Sequence, residues 1–492
     1  MAVGGKNPLS RQIVKAMSVF GGVQVLSVLC SIVRIKLVAV LIGPVGIGLF
    51  GLYNSAIDMI NNLSNLGIRS SSVRDISIEV ERGSRQRVAE ILAVVRRWTW
   101  ALGIVAAFVT LVASPLLSRW TFGDSDHIWG FIALSVVVMF NALTNCEQSI
   151  LQGTRRLRQL AQVGVYSVAT GLLVSVPLFY FLREDSIVPS IIAYFAAGTF
   201  FSWRLRNKEY RDIAVNLSLQ GVVTQGAGFV RLGFFMTLSV FLSLLASYIF
   251  IAYLNHTSGT TVVGYYQAGY TLVNRYAALI FMAIGTEYYP RLAKVCHSRW
   301  RTRLFVSQEI NISLTVLVPV ITLFVLLRQV AVDLLYSDDF RAIIPFISYA
   351  SVGIVFQAIS WCMAYVIIAK GRGITYLVTE SLSSLSGILL NIVFYGYAGL
   401  DGLGVSYVVW YMLYTLIVGV VYFGKFKLTF HRSTVAMSVY AVVMAVASVV
   451  AMQAGLLWIA VVISVIAIVV GVIAMRHQLN PNRSLDRKMG KI

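Results

Sequence analysis

The sequence is short of charge. Asp, Glu, Lys and Arg make up 12% of its 492 residues, against 58% hydrophobic residues. Soluble globular chains carry roughly 25% charged residues, and a soluble chain this apolar would need a core larger than its surface allows. That excludes the soluble classes and leaves an integral membrane protein. Acids are scarcer still, 20 Asp+Glu against 40 Lys+Arg, for a formal charge of +20. A nucleic-acid binder would gather such an excess on one soluble face. Here the bases fall in short gaps between apolar runs, so membrane lipid is the expected electrostatic partner and nucleic acid is not.

Cysteine is rare too. Cys30, Cys146, Cys296 and Cys362 form no C-x-x-C pair, which argues against a disulfide framework or a metal site and for small buried hydrophobes. A cleavable signal peptide is not expected, because the first apolar run starts near Met17 and is long enough to span. Sizeable soluble domains and nucleotide motifs are missing. Gly419-Val420-Val421-Tyr422-Phe423-Gly424-Lys425 has the spacing of a phosphate-binding loop, but Phe426 stands where the metal-binding hydroxyl belongs, after a membrane helix and not a strand. No catalytic residue, cofactor or metal is expected.

What is present is a series of apolar runs of spanning length, roughly 20 residues each. They fall at 17–42, 46–67, 98–118, 128–151, 160–182, 187–203, 226–254, 262–289, 306–328, 343–369, 375–397, 403–423, 434–452 and 457–475. The fold class is therefore all-α and polytopic, with about 14 transmembrane helices. Most Lys and Arg lie in alternate gaps. The opposite gaps hold Arg119, Arg183, Arg328 and Arg341, while Arg34, Lys36, Arg231 and Arg275 lie within runs. By the positive-inside rule both termini are cytoplasmic, and Trp98, Trp100, Trp120 and Trp129 mark helix ends.

The runs repeat. A shift of 216 positions lays Phe140-Asn141-Ala142-Leu143-Thr144-Asn145-Cys146 on Phe356-Gln357-Ala358-Ile359-Ser360-Trp361-Cys362. Without a gap it also equates Gly48 with Gly264, Ser167 with Ser383, Gly171 with Gly387, Ser190 with Ser406 and Tyr194 with Trp410. Each repeat contains six helices, an even number, so the halves enter the membrane in the same orientation, as parallel repeats do. The expected organisation is an N-lobe at 1–212, a C-lobe at 213–432, two additional helices at 433–475 and a basic cytoplasmic tail at 476–492.

Charges at bilayer depth cost from about 2.5 to more than 10 kcal/mol, so they face a cavity or a partner. Asp58 and Arg275 each lie about 12 residues, or roughly 18 Å, from the outer end of their helices. Both are expected on a cavity wall, Arg275 binding phosphate and Asp58 pairing with it or carrying a coupling proton; a static ion pair is the other reading. Arg34 is the deeper of the two cations on the first helix. Lys36 points about 200° away from it and is expected to snorkel to the outer interface. Arg231 and Lys15, equated by the shift, are candidates for a basic entrance for an anionic headgroup, or for ordinary anchoring. Glu147, Glu287, Glu309 and Glu380 fall near cytoplasmic helix ends, solvated or paired, and Glu147 and Glu380 join Asp58 as candidates for ion coupling. Arginine suits phosphate because its planar fork binds two oxygens and stays protonated. Pro319 is expected to bend the ninth helix.

Several short motifs look familiar. Gly43-Pro44-Val45-Gly46-Ile47-Gly48-Leu49-Phe50, Gly264-Tyr265-Tyr266-Gln267-Ala268 and Tyr288-Tyr289-Pro290-Arg291-Leu292 resemble the polysaccharide-transport family of the multidrug/oligosaccharidyl-lipid/polysaccharide (MOP) superfamily. Leu335-Tyr336-Ser337-Asp338-Asp339-Phe340 and Ile368-Ala369-Lys370-Gly371 are similar to Wzx-type flippases. The likeness runs from about residue 15 to 425. It implies two six-helix lobes around a V-shaped cavity, alternating access, and outward movement of undecaprenyl-pyrophosphate-linked repeat units of O-antigen or exopolysaccharide. It implies a bacterial inner membrane and, as partners, a polyprenyl-pyrophosphate-linked glycan, membrane lipids, a glycan polymerase and a chain-length regulator. In relatives that flip the cell-wall precursor, arginines on the first, second and eighth helices receive the pyrophosphate. Arg34 and Arg275 fall on matching helices, whereas the second helix carries only Asp58.

Two other functions compete with this one. A multidrug or cation antiporter on the same scaffold would want a net acidic cavity, whereas the deep charges here are mainly basic. A membrane glycan polymerase or ligase usually needs a large outward loop, and the outward gaps are about 15 residues or shorter.

Overall fold

A computed structural model describes residues 30–65, 68–206, 209, 210, 213, 215 and 219–479; the side chains of 70, 219–236, 275, 276 and several between 279 and 290 are not part of that description. All regular structure among the described residues is helical. The helices are α1 (described over 30–41), α2 Gly43–Asn65, α3 Ile68–Arg82, α4 Arg85–Phe122, α5 Ile128–Gly153, α6 Leu157–Leu182, α7 Ile187–Arg204 and α8 Leu219–Ser258. They continue as α9 Thr260–Val295, α10 Arg299–Leu326, α11 Arg328–Leu335, α12 Ile344–Ala369, α13 Gly373–Gly419, α14 Arg432–Gln453 and α15 Leu457–Leu479. Each predicted run coincides with a helix wherever its residues are described.

Nine helical segments among the described residues are long and apolar enough to cross a membrane, with mean hydropathies from 1.7 to 3.0. With the physics of an apolar chain, they make this a multi-pass membrane protein. Punctuation follows backbone chemistry. Gly43 takes φ +74° and separates α1 from α2, and Pro44 opens α2 where a missing N–H costs nothing. Inside α13, Ala398 and Gly399 (φ 57°, ψ −137°) leave the helical region, so α13 is two spans joined at the tight gap expected near residue 400. Pro319 sits inside the continuous α10.

Two elements were not foreseen. α3 has a negative mean hydropathy but buries Ile68 and Ile76 against Val88, Leu92, Val95 and Ile150. It is an amphipathic helix within what reads as a basic gap. The short α11 occupies part of an outward gap, and the segment after it bonds to α1, where Lys36 donates to the carbonyl of Tyr336.

Several hydrogen bonds recur at the 216-residue spacing. Thr199 donates to the carbonyl of Phe140 (2.9 Å), and Thr415 to that of Phe356 (3.1 Å). After α5, the amides of Thr154, Arg155 and Arg156 bond to Ile150, Gln152 and Leu151. After α12, those of Lys370, Gly371 and Arg372 bond to Val366, Ile368 and Ile367. Arg155 and Gly371 both take positive φ, 57° and 67°. Gly171 lies under the ring of Tyr194, as Gly387 lies under Trp410.

By contacts the described chain forms two compact units, one spanning Met1–Gly264 with Leu335–Asp339, the other Tyr265–Leu334 with Phe340–Ile492. α8, which the repeat assigns to the second half, clusters with the first unit through side-chain bonds. Tyr248 pairs with Thr121, Asn255 donates to the Thr121 carbonyl (3.0 Å), and His256 bonds the Trp120 carbonyl (2.7 Å). Gly48 and Gly264 make a close backbone approach in this unit, Gly48 against Thr260 and Gly264 against Pro44. A Cβ at either would collide with a carbonyl, which is why this repeated motif carries glycine.

Candidate functional site

Helix α2 explains its own burial pattern. Tyr53, Ala56, Ile57 and Met59 are buried against Phe131, Leu134, Ile187 and Ile191 of α5 and α7. At about 100° per residue, Asn54, Ser55, Asp58, Asn61, Asn62 and Asn65 share the opposite face within an arc of about 120°. This face lowers the hydropathy of α2, which is absent from the spanning helices recognised by apolarity. Unpartnered amides and a carboxylate in hydrocarbon cost several kcal/mol each. Such a face requires water or a polar ligand in front of it.

The side-chain geometry along this face is uneven. Asn54 and Asn65 spend their Nδ2 groups on the carbonyls of Phe50 (2.7 Å) and Asn61 (2.8 Å). Asn61 is 5% exposed, yet its Nδ2 and Oδ1 both lack hydrogen-bond partners, and Oδ1 of Asn62 is likewise buried and unpartnered. Asp58 is exposed, with no ion-pair partner among the described residues. At the end of the face Ser64 and Asn65 line a small cavity with Thr99, Gly103 and Ala142.

Arg34 projects from α1 into an aromatic bracket. Its guanidinium carbon lies 4.8 Å from the ring centre of Phe50 (α2) and 5.1 Å from that of Tyr194 (α7). Its Nε and Nη2 are enclosed without a hydrogen-bond partner. Cation–π attraction holds the charge out of water at reduced cost. Because the rings contact the guanidinium, its N–H fork remains unspent, and that fork matches a phosphate.

Beyond Asn65, Arg69 of α3 donates to Asn145 Oδ1 (3.1 Å), and Asn145 in turn donates to Asn141 (2.8 Å). Glu147 is locked edge to edge with Arg96. In the second unit, Tyr414 donates to Glu380. A polar knot joins Tyr407 to Asn274 Oδ1 (2.7 Å) and Gln357, and Gln357 to Tyr411 (2.9 Å).

Of the residues expected at the site, Arg34, Asp58, Glu147 and Glu380 are described. Arg231 and Arg275 lie on α8 and α9 with side chains outside the described residues, and Lys15 lies wholly outside them. Arg34 and the α2 face both belong to the first unit, whereas Glu380 belongs to the second. Sequence reasoning missed the asparagines of α2 and the aromatic bracket. The signal was available in the spacing 54, 58, 61, 62, 65. Among the described residues no group of three or more His, Cys, Asp or Glu is placed to hold a metal ion.

The profile of a family described as "Polysaccharide biosynthesis protein" matches residues 13–296. The chain belongs to that family. This member is 22% identical over 356 residues to the Lipid III flippase of Escherichia coli (strain K12), covering 70% of this chain and 82% of the relative. Its fold is similar to that of the Lipid II flippase MurJ in an inward closed conformation (TM-score 0.70, 14% identity, 94% of this chain and 99% of that one). It is also similar to an inward-facing multidrug resistance MATE family transporter of the MOP superfamily (TM-score 0.66, 15% identity, 84% and 95%). These likenesses carry the fold, an all-helical architecture shared with both solved transporters.

Proposed function

We propose that this family member is a transporter, not an enzyme: a flippase that moves a polyprenyl-pyrophosphate-linked oligosaccharide from the cytoplasmic to the outer leaflet of a bacterial inner membrane by alternating access. The observation that carries this reading is the Arg34 bracket. A cation fixed between Phe50 and Tyr194, with enclosed and unspent N–H donors, is a receptor for a phosphate dragged through oil, because it lowers the cost of desolvating that charge. The named activities of the relatives, Lipid III and Lipid II flippases, support the same substrate class.

In this proposal the carrier is undecaprenyl pyrophosphate bearing an O-antigen or exopolysaccharide repeat unit. Lys15 and Arg231 gather the headgroup at the cytoplasmic side, and Arg34 and Arg275 hold the pyrophosphate at depth. The repeat divides the chain into lobes at 1–212 and 213–432, followed by helices at 433–475 and a tail at 476–492. The alternation of basic gaps supports cytoplasmic termini. Asp58 and Glu380 are the coupling candidates, whereas Glu147 neutralises Arg96. A glycan polymerase and its chain-length regulator consume the product.

A cation antiporter draws on one observation, the exposed carboxylate of Asp58 on a MATE-like fold. The two readings separate on charge. In a strain lacking the native gene, Arg34→Ala is expected to abolish surface-glycan export at normal protein level, with Arg34→Lys retaining part of it. Normal export by Arg34→Ala, with drug efflux lost in Asp58→Asn, establishes the antiporter instead.

A further inference from the structure

We infer that the polar face of α2 binds the saccharide of the transported carrier through its hydroxyl groups, with Asn61 and Asn62 setting glycan preference; this rests on the flippase reading above. The first argument is chemical. The buried side-chain atoms without a partner on this face are the Oδ1 atoms of Asn61 and Asn62 and the Nδ2 of Asn61, beside the exposed carboxylate of Asp58. An acceptor-rich row with an interspersed donor complements a chain of hydroxyls, each of which donates and accepts. It repels phosphate, which Arg34 serves separately. It does not suit a single metal cation, whose oxygen ligands must converge within about 2.6 Å, because positions 54 to 65 are strung over about 16 Å of helix.

The second argument is a control inside the molecule. The repeat equates Asn54, Asp58, Asn61, Asn62 and Asn65 with Tyr270, Asn274, Ala277, Ala278 and Phe281. Ala277 is buried to the same degree as Asn61, 4% against 5% exposed. Asn274, the one carboxamide of the set in α9, has its Oδ1 occupied by Tyr407. The same helix is thus built a second time without unsatisfied amides, so folding does not call for them. A buried amide that packing leaves unpartnered in one repeat and dispenses with in the other is kept for a ligand.

The test uses the purified full chain in proteoliposomes with two labelled probes, polyprenyl pyrophosphate carrying one hexose and the same carrier carrying a tetrahexose. Asn61→Ala, and separately Asn62→Ala, are expected to slow flipping of the tetrahexose carrier about tenfold and that of the one-hexose carrier several-fold less. Asn61→Ala should also leave Tm unchanged or raised, since it removes an unsatisfied amide. Arg34→Ala should slow both carriers alike. Equal loss of both carriers in the asparagine variants, no loss of either, or a lowered Tm in Asn61→Ala overturns the inference and leaves the flippase reading standing. A wild-type protein that flips neither carrier overturns both.

Discussion

Arg96 of α4 and Glu147 of α5 meet as a fork-to-fork ion pair, with Nε to Oε1 at 2.7 Å and Nη2 to Oε2 at 3.0 Å. Their side chains are 33% and 14% exposed. A carboxylate enclosed to this degree is destabilising without its cation, so the pair acts as a staple between the two helices. Arg96→Ala is expected to cost more stability than the double variant Arg96→Ala/Glu147→Ala. Thermal unfolding in detergent across the four combinations should give a coupling of about 2 kcal/mol. Zero coupling would mean the pair is solvated.

The glycines beneath the repeated aromatic residues fix helix spacing. A Cβ on Gly171 would lie 2.8 Å from the Tyr194 ring, and one on Gly387 would lie 2.5 Å from Trp410. Overpacking of this kind costs about 1–3 kcal/mol. Both Gly171→Ala and Gly387→Ala should lower Tm. Gly171→Ala should also reduce transport, because Tyr194 holds one side of the Arg34 bracket. The paired measurement is Tm together with glycan export for each variant.

Outside the membrane, Glu209 accepts from Arg85 (3.1 Å) and Arg156 (2.7 Å). The hydrogen bonds from Arg156, then from Arg85, hold its carboxyl below the usual carboxylate range. A carboxyl depressed on folding adds stability above its unfolded value, about 4.3, and that stability is lost as pH falls through the lowered value. The group is 38% exposed, so the contribution is below about 1 kcal/mol. Between pH 7 and pH 3 the wild type should lose slightly more stability than Glu209→Gln. Identical pH profiles would remove the bridge from the account.

Much of the fold was legible because membrane burial writes long, one-dimensional signals. Apolar runs gave the spans, the gap between the runs ending at 397 and starting at 403 gave the break in α13, and the ungapped shift gave a register that Thr199 and Thr415 reproduce. α3 was not legible: its apolar residues cover only one stripe of a short, charged helix, which averaging over a run erases. Nor was the bracket around Arg34, since Phe50 and Tyr194 reach it from α2 and α7, and no spacing in the chain encodes that meeting. The charge was visible, and its aromatic partners were not. The asparagines of α2 have the right periodicity, but as neutral amides they carry none of the charge that marks a buried polar site in a membrane sequence.

If the polar face of α2 looks onto water, cysteines placed along it should report so. Asn62→Cys and Asp58→Cys are expected to react with a membrane-impermeant maleimide, whereas Ile57→Cys, on the buried face, is not. The native Cys146, Cys296 and Cys362 are buried and Cys30 is half-buried, so a Cys30→Ser background is sufficient. Labelling at 57 as fast as at 62 would place the helix otherwise.

The most direct test of the account is flipping by purified protein. Proteoliposomes containing the wild type should expose a labelled polyprenyl-pyrophosphate-linked saccharide to a quencher on the far side, and Arg34→Ala should reduce that rate to the protein-free background with its Tm preserved. A wild-type rate in Arg34→Ala would contradict the claim that this bracketed cation carries the phosphate across.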